Sequence, residues 1–161
     1  MSKLSYINFA DDSKVWIYQS NRPFTEEEKA TLKEEIHAFA NQWVSHNQAL
    51  TAFGMLMHNQ FIVLMVDETG AGASGCSIDK SVHFIKAVEQ KYQVQLFDRM
   101  TFAYIEGERV KTMTKQEMSE WYQQGILTDE TMVFNNLVKN RAEFEQGWVV
   151  PLGESWHKRF V

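Results

Sequence analysis

The most reactive side chain in this sequence is its single cysteine. Cys76 stands where a glycine-rich stretch, Gly70-Ala71-Gly72-Ala73-Ser74-Gly75, gives way to a helical pattern. A thiol at a helix start lies among unpaired amides and the positive end of the dipole, which stabilise a thiolate and suit a nucleophile or a redox sensor. The competing expectation is a small residue packed under a tight turn, since free cysteines are commonly buried and inert. A base would be a histidine. His83 follows seven residues later, roughly 10 Å along a straight helix, which is too far for a direct hydrogen bond to Cys76. Asp79 and His83 are four apart and can meet, orienting the imidazole or raising its pKa, although a solvated helix face explains them equally well. His58 completes the set of candidate helpers. His37, His46 and His157 show no metal-ligand spacing, so neither a metal nor a cofactor is expected.

The loop before Cys76 has anion chemistry of its own. Its spacing is that of a phosphate-binding loop, G-x-x-x-x-G-K-[ST], with Cys76 in place of the lysine. Gly72, Gly75, Cys76 and Ser77 still offer backbone amides and a helix dipole to a carboxylate or phosphate. The plainer reading is that the glycines allow a turn between a buried strand and its helix. The acidic pair Asp67 and Glu68 precedes the loop immediately instead of lying far downstream, and its charge opposes an anion there.

These residues need elements to hold them. Residues 14–20 are β-branched and aromatic, and Asn21-Arg22-Pro23 ends them as a first strand. Thr25 with Glu28 forms a capping-box pattern, followed by Leu32, Ile36, Phe39 and Trp43 at helical spacing. Two apolar runs, 49–57 and 61–67, flank His58-Asn59-Gln60 as a hairpin, and the unbroken second run predicts a strand buried on both faces. Ser77 is expected to cap a helix with Ile78, Val82, Ile85 and Tyr92 on its apolar stripe. Residues 97–105 return as a strand, beside which Asp98 and Arg99 are expected to form an ion pair, and 109–113 add another strand.

The order β-α-β-β-α-β over residues 14–105 predicts a ferredoxin-like α+β core, spanning 1–113. Residues 114–161 would then form a small appendage, opened by a second capping box at Thr114 and Glu117 and broken at Gly125. Of the five tryptophans, Trp148 and Trp156 in the irregular tail are candidates for an exposed, partner-binding aromatic surface.

Composition limits the function classes. The 161 residues suffice for one well-buried core, and 44% hydrophobic content with only two prolines marks a globular chain. Sixteen basic against twenty-one acidic residues, net −5, without a basic cluster, argues against nucleic acid. One cysteine, the absence of a signal-type apolar region in the first eight residues, and a longest apolar run of 61–66 predict a cytoplasmic protein without membrane insertion.

Three segments carry a resemblance. Residues 72–84 (Gly-Ala-Ser-Gly-Cys-Ser-Ile-Asp, then Ser-Val-His-Phe), 133–138 (Val-Phe-Asn-Asn-Leu-Val) and 150–156 (Val-Pro-Leu-Gly-Glu-Ser-Trp) resemble a family of short, uncharacterised bacterial proteins labelled "ABC transporter ATPase". That label implies nucleotide hydrolysis, but the loop lacks its lysine and no signature of the ABC type occurs. The last third, from Tyr104 and Gly107 through Trp121, Gly125 and Thr131-Met132-Val133, is similar to bacterial GYF-like modules, which implies peptide binding or scaffolding. The leading expectation is therefore a binding or regulatory module that takes a protein partner or a small anionic ligand, with a homodimer left open. A thiol-dependent enzyme or redox sensor on Cys76 comes second, and a nucleotide hydrolase third.

Overall fold

The structure, a computed structural model, describes residues 6–161. The reading of the N-terminus as free of a signal therefore falls partly outside the described residues. These form four α-helices and three antiparallel sheets, an α+β protein.

Strand β1 (Lys14–Gln19) leads to helix α1 (Glu26–Gln42) through the expected capping box. Thr25 Oγ1 accepts the Glu28 amide at 3.2 Å, and the Glu28 carboxylate accepts the Thr25 amide at 2.9 Å. Arg22 grips the same carboxylate at 2.9 and 3.0 Å and donates to the Tyr92 carbonyl at 2.7 Å. The Arg22 and Thr25 hydrogen bonds hold the Glu28 carboxyl at about 2. A small hairpin, β2 (Val44–Ser45) and β3 (Gln48–Ala49), follows, unpredicted from sequence. Its turn puts His46 and Asn47 at φ of 51° and 66°, the paired left-handed conformation of tight hairpin turns.

Strands β4 (Thr51–Met57) and β5 (Phe61–Asp67) form the predicted hairpin, and β5 lies centrally in the order β1-β5-β4. Ile62, Leu64 and Val66 face α1 and helix α2 (Gly75–Tyr92), while Phe61, Val63 and Met65 face the second half of the molecule. All six are fully buried, as the unbroken apolar run predicts. The buried stripe of α2 runs through Ser77, Ser81, Ile85, Val88 and Tyr92, rotated from the expected one. Two serines leave room for the Trp43 indole, whose Nε1 donates to the Ser77 carbonyl at 2.8 Å; Ile78 and Val82 are only half-buried in consequence.

Helix α1 approaches β4 closely at Gly54. A Cβ there would lie 2.5 Å from Ile36 Cγ2 and 3.2 Å from Leu64 Cδ2. Ile36 is β-branched and fully buried, so it has little freedom to move aside. Gly54→Ala is expected to destabilise the fold by about 1–3 kcal/mol, the usual range for overpacking. A denaturant melt checks this: the midpoint should fall with the slope unchanged. An unchanged midpoint would mean that α1 can shift without cost.

The fourth core strand is where topology departs from expectation. β6 (Thr101–Glu106) pairs with β7 (Arg109–Thr114) and with β8 (Met132–Phe134), which is joined by β9 (Val149–Pro151) in a separate sheet ordered β7-β6-β8-β9. β6 therefore shares a sheet with the C-terminal strands instead of with β1, β4 and β5. Helix α3 (Lys115–Gln123) and the C-terminal 3-10 turns cover the outer face of this sheet around Phe102, Tyr104 and Met118. Its inner face, with Ala103 and Phe134, packs with helix α4 (Arg141–Gly147) on β1 and β5.

Candidate functional site

Cys76 is exposed, which corrects the expectation that it packs under the glycine turn. The cap of α2 is Ser74, not Ser77. Ser74 Oγ accepts the Ser77 amide at 3.2 Å, and Ser77 Oγ accepts the Ser74 amide at 2.7 Å. This reciprocal pair fixes the first turn and leaves the Cys76 side chain outside it. Alkylation of Cys76 by a small thiol reagent should accordingly go to completion in the native protein; a requirement for denaturant would contradict the observed exposure.

The loop of Gly72, Gly75, Cys76 and Ser77 already contains a carboxylate. Glu68 Oε2 accepts the Ala73 amide at 2.8 Å and would lie 3.1 Å from a Cβ on Gly72. Asp67 accepts the Thr69 hydroxyl at 2.6 Å, the Thr69 amide at 2.9 Å and the Ala10 amide at 3.1 Å. These bonds, the Thr69 hydroxyl foremost, hold the Asp67 carboxyl below its ordinary range. Both acids thus act as internal partners of loop amides, and an external anion would have to displace Glu68.

The candidate helpers are not gathered around the thiol. Asp79 and His83 are both exposed on α2, and no hydrogen bond joins them. His58 lies in the β4–β5 turn, at the far end of β5 from the glycine loop, roughly 20 Å away at 3.3 Å per residue. Its ring rests against Phe61, Phe134 and Trp148, with centroids 6.1, 5.2 and 5.6 Å apart, and burial lowers its pKa. Trp148 is likewise not a surface residue. It is 4% exposed, packs on Phe61, Phe134 and Phe144, and donates from Nε1 to Asn136 at 2.9 Å. Trp156 is half-buried, stacked on His157 at 4.2 Å. The tail aromatics seal the underside of the sheets, so the expected exposed aromatic surface does not form around these two.

A cleft opens instead along the outer edge of β1. Its volume is about 470 Å³, with Ala73 of the glycine loop and Ile78 of the first turn of α2 on one wall and residues 136–139 on the other. Lys14, Arg99 and Lys139 supply its charge, and all three are exposed. Asp98 does not neutralise Arg99, contrary to the expected ion pair, because its oxygens accept the Met100 amide and the Thr101 hydroxyl, each at 2.8 Å. The Arg99 charge instead partly offsets the rise that burial imposes on the Tyr18 phenol. Leu137, 48% exposed, lies over the cleft.

The lower end of the cleft narrows to a hollow of about 90 Å³ lined by Gln19, Asn136, Trp156 and His157. Asn136 Nδ2 donates to Gln19 Oε1 at 2.9 Å, and Gln19 Nε2 donates to the Thr101 carbonyl at 3.1 Å. Trp156 Nε1 is buried and has no hydrogen-bond partner among the described residues. His157 Nδ1 lies 2.6 Å from Ser155 Oγ, and burial pushes the imidazole down to about 4. Sequence reasoning reaches Arg99 only as half of an ion pair, and Asn136 and Leu137 only as part of a segment that carries a resemblance, with no role for either. Their importance arises from the transfer of β6 to another sheet, which no local pattern announces.

Among the described residues no group of three His, Cys, Asp or Glu side chains is placed to hold a metal, and no helix is long and apolar enough to cross a membrane. Comparison with family models, curated proteins and solved structures found no match to this chain.

Proposed function

We propose that this chain is a binding or regulatory module that works through protein contacts, with the cleft along β1 as its recognition site. The observation that carries this reading is the combination at one place of an open strand edge, an exposed leucine and three cations, of which Arg99 and Lys139 have no acidic partner among the described residues. We read the half containing β1, α1, β4, β5 and α2 as a ferredoxin-like unit that lacks its edge strand, which leaves β1 open. Glu68 on the Ala73 amide supports the protein-contact form over a small anion held by the glycine loop.

Nitrogen-edited NMR spectra recorded with panels of short peptides and of simple anions test the reading. Binding should move the signals of Ile17, Arg99, Asn136 and Leu137 together. Shifts confined to the glycine loop would favour the anion form, and no shift with any compound would remove the cleft as a binding site.

The exposure of Cys76 supports a second reading, a thiol-dependent sensor or enzyme. The alkylation rate measured across pH 5 to 9 decides it. A midpoint well below the ordinary value of about 8.5 would promote this reading, and an ordinary midpoint would remove it.

A further inference from the structure

The hydrogen-bond parity of β1 identifies which of its backbone groups face the cleft. Ser20 donates its amide to the Gln60 carbonyl at 2.8 Å, so even-numbered residues of β1 bond to β5. Odd-numbered residues therefore present their amides and carbonyls outward, and Val15 does so by donating to the Lys139 carbonyl at 3.0 Å. The short bridge between Lys14 and Asn140 ends there. Beyond it the Val15 carbonyl, both Ile17 groups and the Gln19 amide have no backbone partner among the described residues. At the far end the edge is closed by the Gln19 side chain on Thr101. The open stretch from Val15 to Gln19 is about 13 Å long at 3.3 Å per residue, enough for an extended segment of four or five residues.

Resting on the proposed binding role of the cleft, we propose that its ligand is an extended, acidic segment of a partner protein that adds as a strand to β1 at Ile17. Ile17 lines the cleft with its outward amide and carbonyl unpaired among the described residues, so water must satisfy them there. Strand addition replaces that water with main-chain hydrogen bonds and takes affinity from the backbone, while side-chain pockets give selectivity. The selectivity is electrostatic. Lys14, Arg99 and Lys139 ring the open stretch on a chain whose net charge is −5. Of the three, only Lys14 has an acidic partner among the described residues, Glu68 at the long distance of 3.8 Å. A second copy of β1 would bring the same cations against their own likeness, so the charge favours a different, acidic chain. Leu137 and Trp16 flank the edge and would cover the apolar side chains that alternate along such a strand.

A capped pentapeptide alternating valine and glutamate, and its lysine counterpart, test the proposal on the full chain by amide hydrogen exchange and NMR titration. The glutamate peptide should bind and slow exchange at Ile17 and Gln19 by about tenfold or more at saturation, with little change at Trp16 and Tyr18. Arg99→Glu, an exposed substitution, should weaken it by about tenfold, and Lys139→Glu should act likewise as an independent check. Cleft signals that move while Ile17 exchange stays fast would overturn strand addition yet leave the cleft a binding site. Equal binding of the lysine peptide would overturn the acidic partner. Protection of Ile17 that grows with protein concentration alone would make the occupant a second copy. Absence of binding at millimolar concentrations of either peptide would also overturn the proposal.

Discussion

Trp148→Ala is expected to lower stability by about 3–5 kcal/mol, the range for truncating a large buried aromatic. For a chain of this length that corresponds to a fall in melting temperature on the order of 10 °C. The size follows from its surroundings: Trp148 touches Phe61 and Phe134 at 5.1 Å each and Phe144 at 5.0 Å, and these rings join the two large sheets. Its loss also removes the donor to Asn136, whose amide group then keeps only the Gln19 contact. Trp148→Phe retains most of the packing but not this donor, so it should cost less. Calorimetric melts of both variants check the expectation. A near-neutral Trp148→Ala would mean that the indole is not part of the core and would return it to the candidates for partner contact.

The second large effect is a dependence on pH set by His157. In the folded chain burial holds this imidazole at about 4, against an ordinary value of about 6.5. Between those values the unfolded chain binds a proton that the folded chain does not, so stability rises with pH across the window. Stability is therefore retained above about 6.5, declines as the pH falls toward 4, and loses no more from this group below that. The full loss is at most about 3.5 kcal/mol, because each tenfold difference in proton affinity between the folded and unfolded chain is worth about 1.4 kcal/mol. His58, also lowered by burial, adds in the same direction. Denaturant midpoints at pH 7 and pH 5 should differ in the unmodified protein and differ much less in His157→Gln. An equal difference in both would assign the dependence elsewhere.

Much of this fold is legible in the sequence where the signal is local. Thr25 with Glu28 and Thr114 with Glu117 form complete capping boxes, and the 61–66 run is buried on both faces. Such signals depend on residues three or four apart, or on burial that demands unbroken hydrophobicity. What the sequence conceals is the choice between equivalent partners. β6 is a competent edge strand for β1, but it is also one arm of the β6–β7 hairpin, and closing that short loop costs little entropy. The cap of α2 is ambiguous for a related reason. Ser74 and Ser77 are three apart, and serine at either position suits a cap, so only the reciprocal geometry tells them apart. Trp148 and Trp156 look available in the sequence because their segment lacks periodicity, yet irregular segments bury aromatics whenever a neighbouring sheet needs covering. The cleft is least legible of all. It is bounded by residues near 14–18, 73–78, 99 and 136–139, which only tertiary structure assembles.

The assignment of each large sheet to one continuous half of the chain has a bearing on how the molecule folds. One sheet is complete between residues 14 and 67 and the other between 101 and 151, and three of their five strand pairings, β4–β5, β6–β7 and β8–β9, join consecutive strands. The contacts that unite the halves, Phe61 on Phe134 at 4.6 Å and Gln19 on Thr101 and Asn136, span 73, 82 and 117 residues. Local pairings form quickly and distant ones late, so docking of two preassembled halves is the natural slow step. Until it occurs, Phe61, Phe134 and the inner faces of both sheets stand in water. The interval before docking is therefore when newly made chains are most open to aggregation and to chaperones.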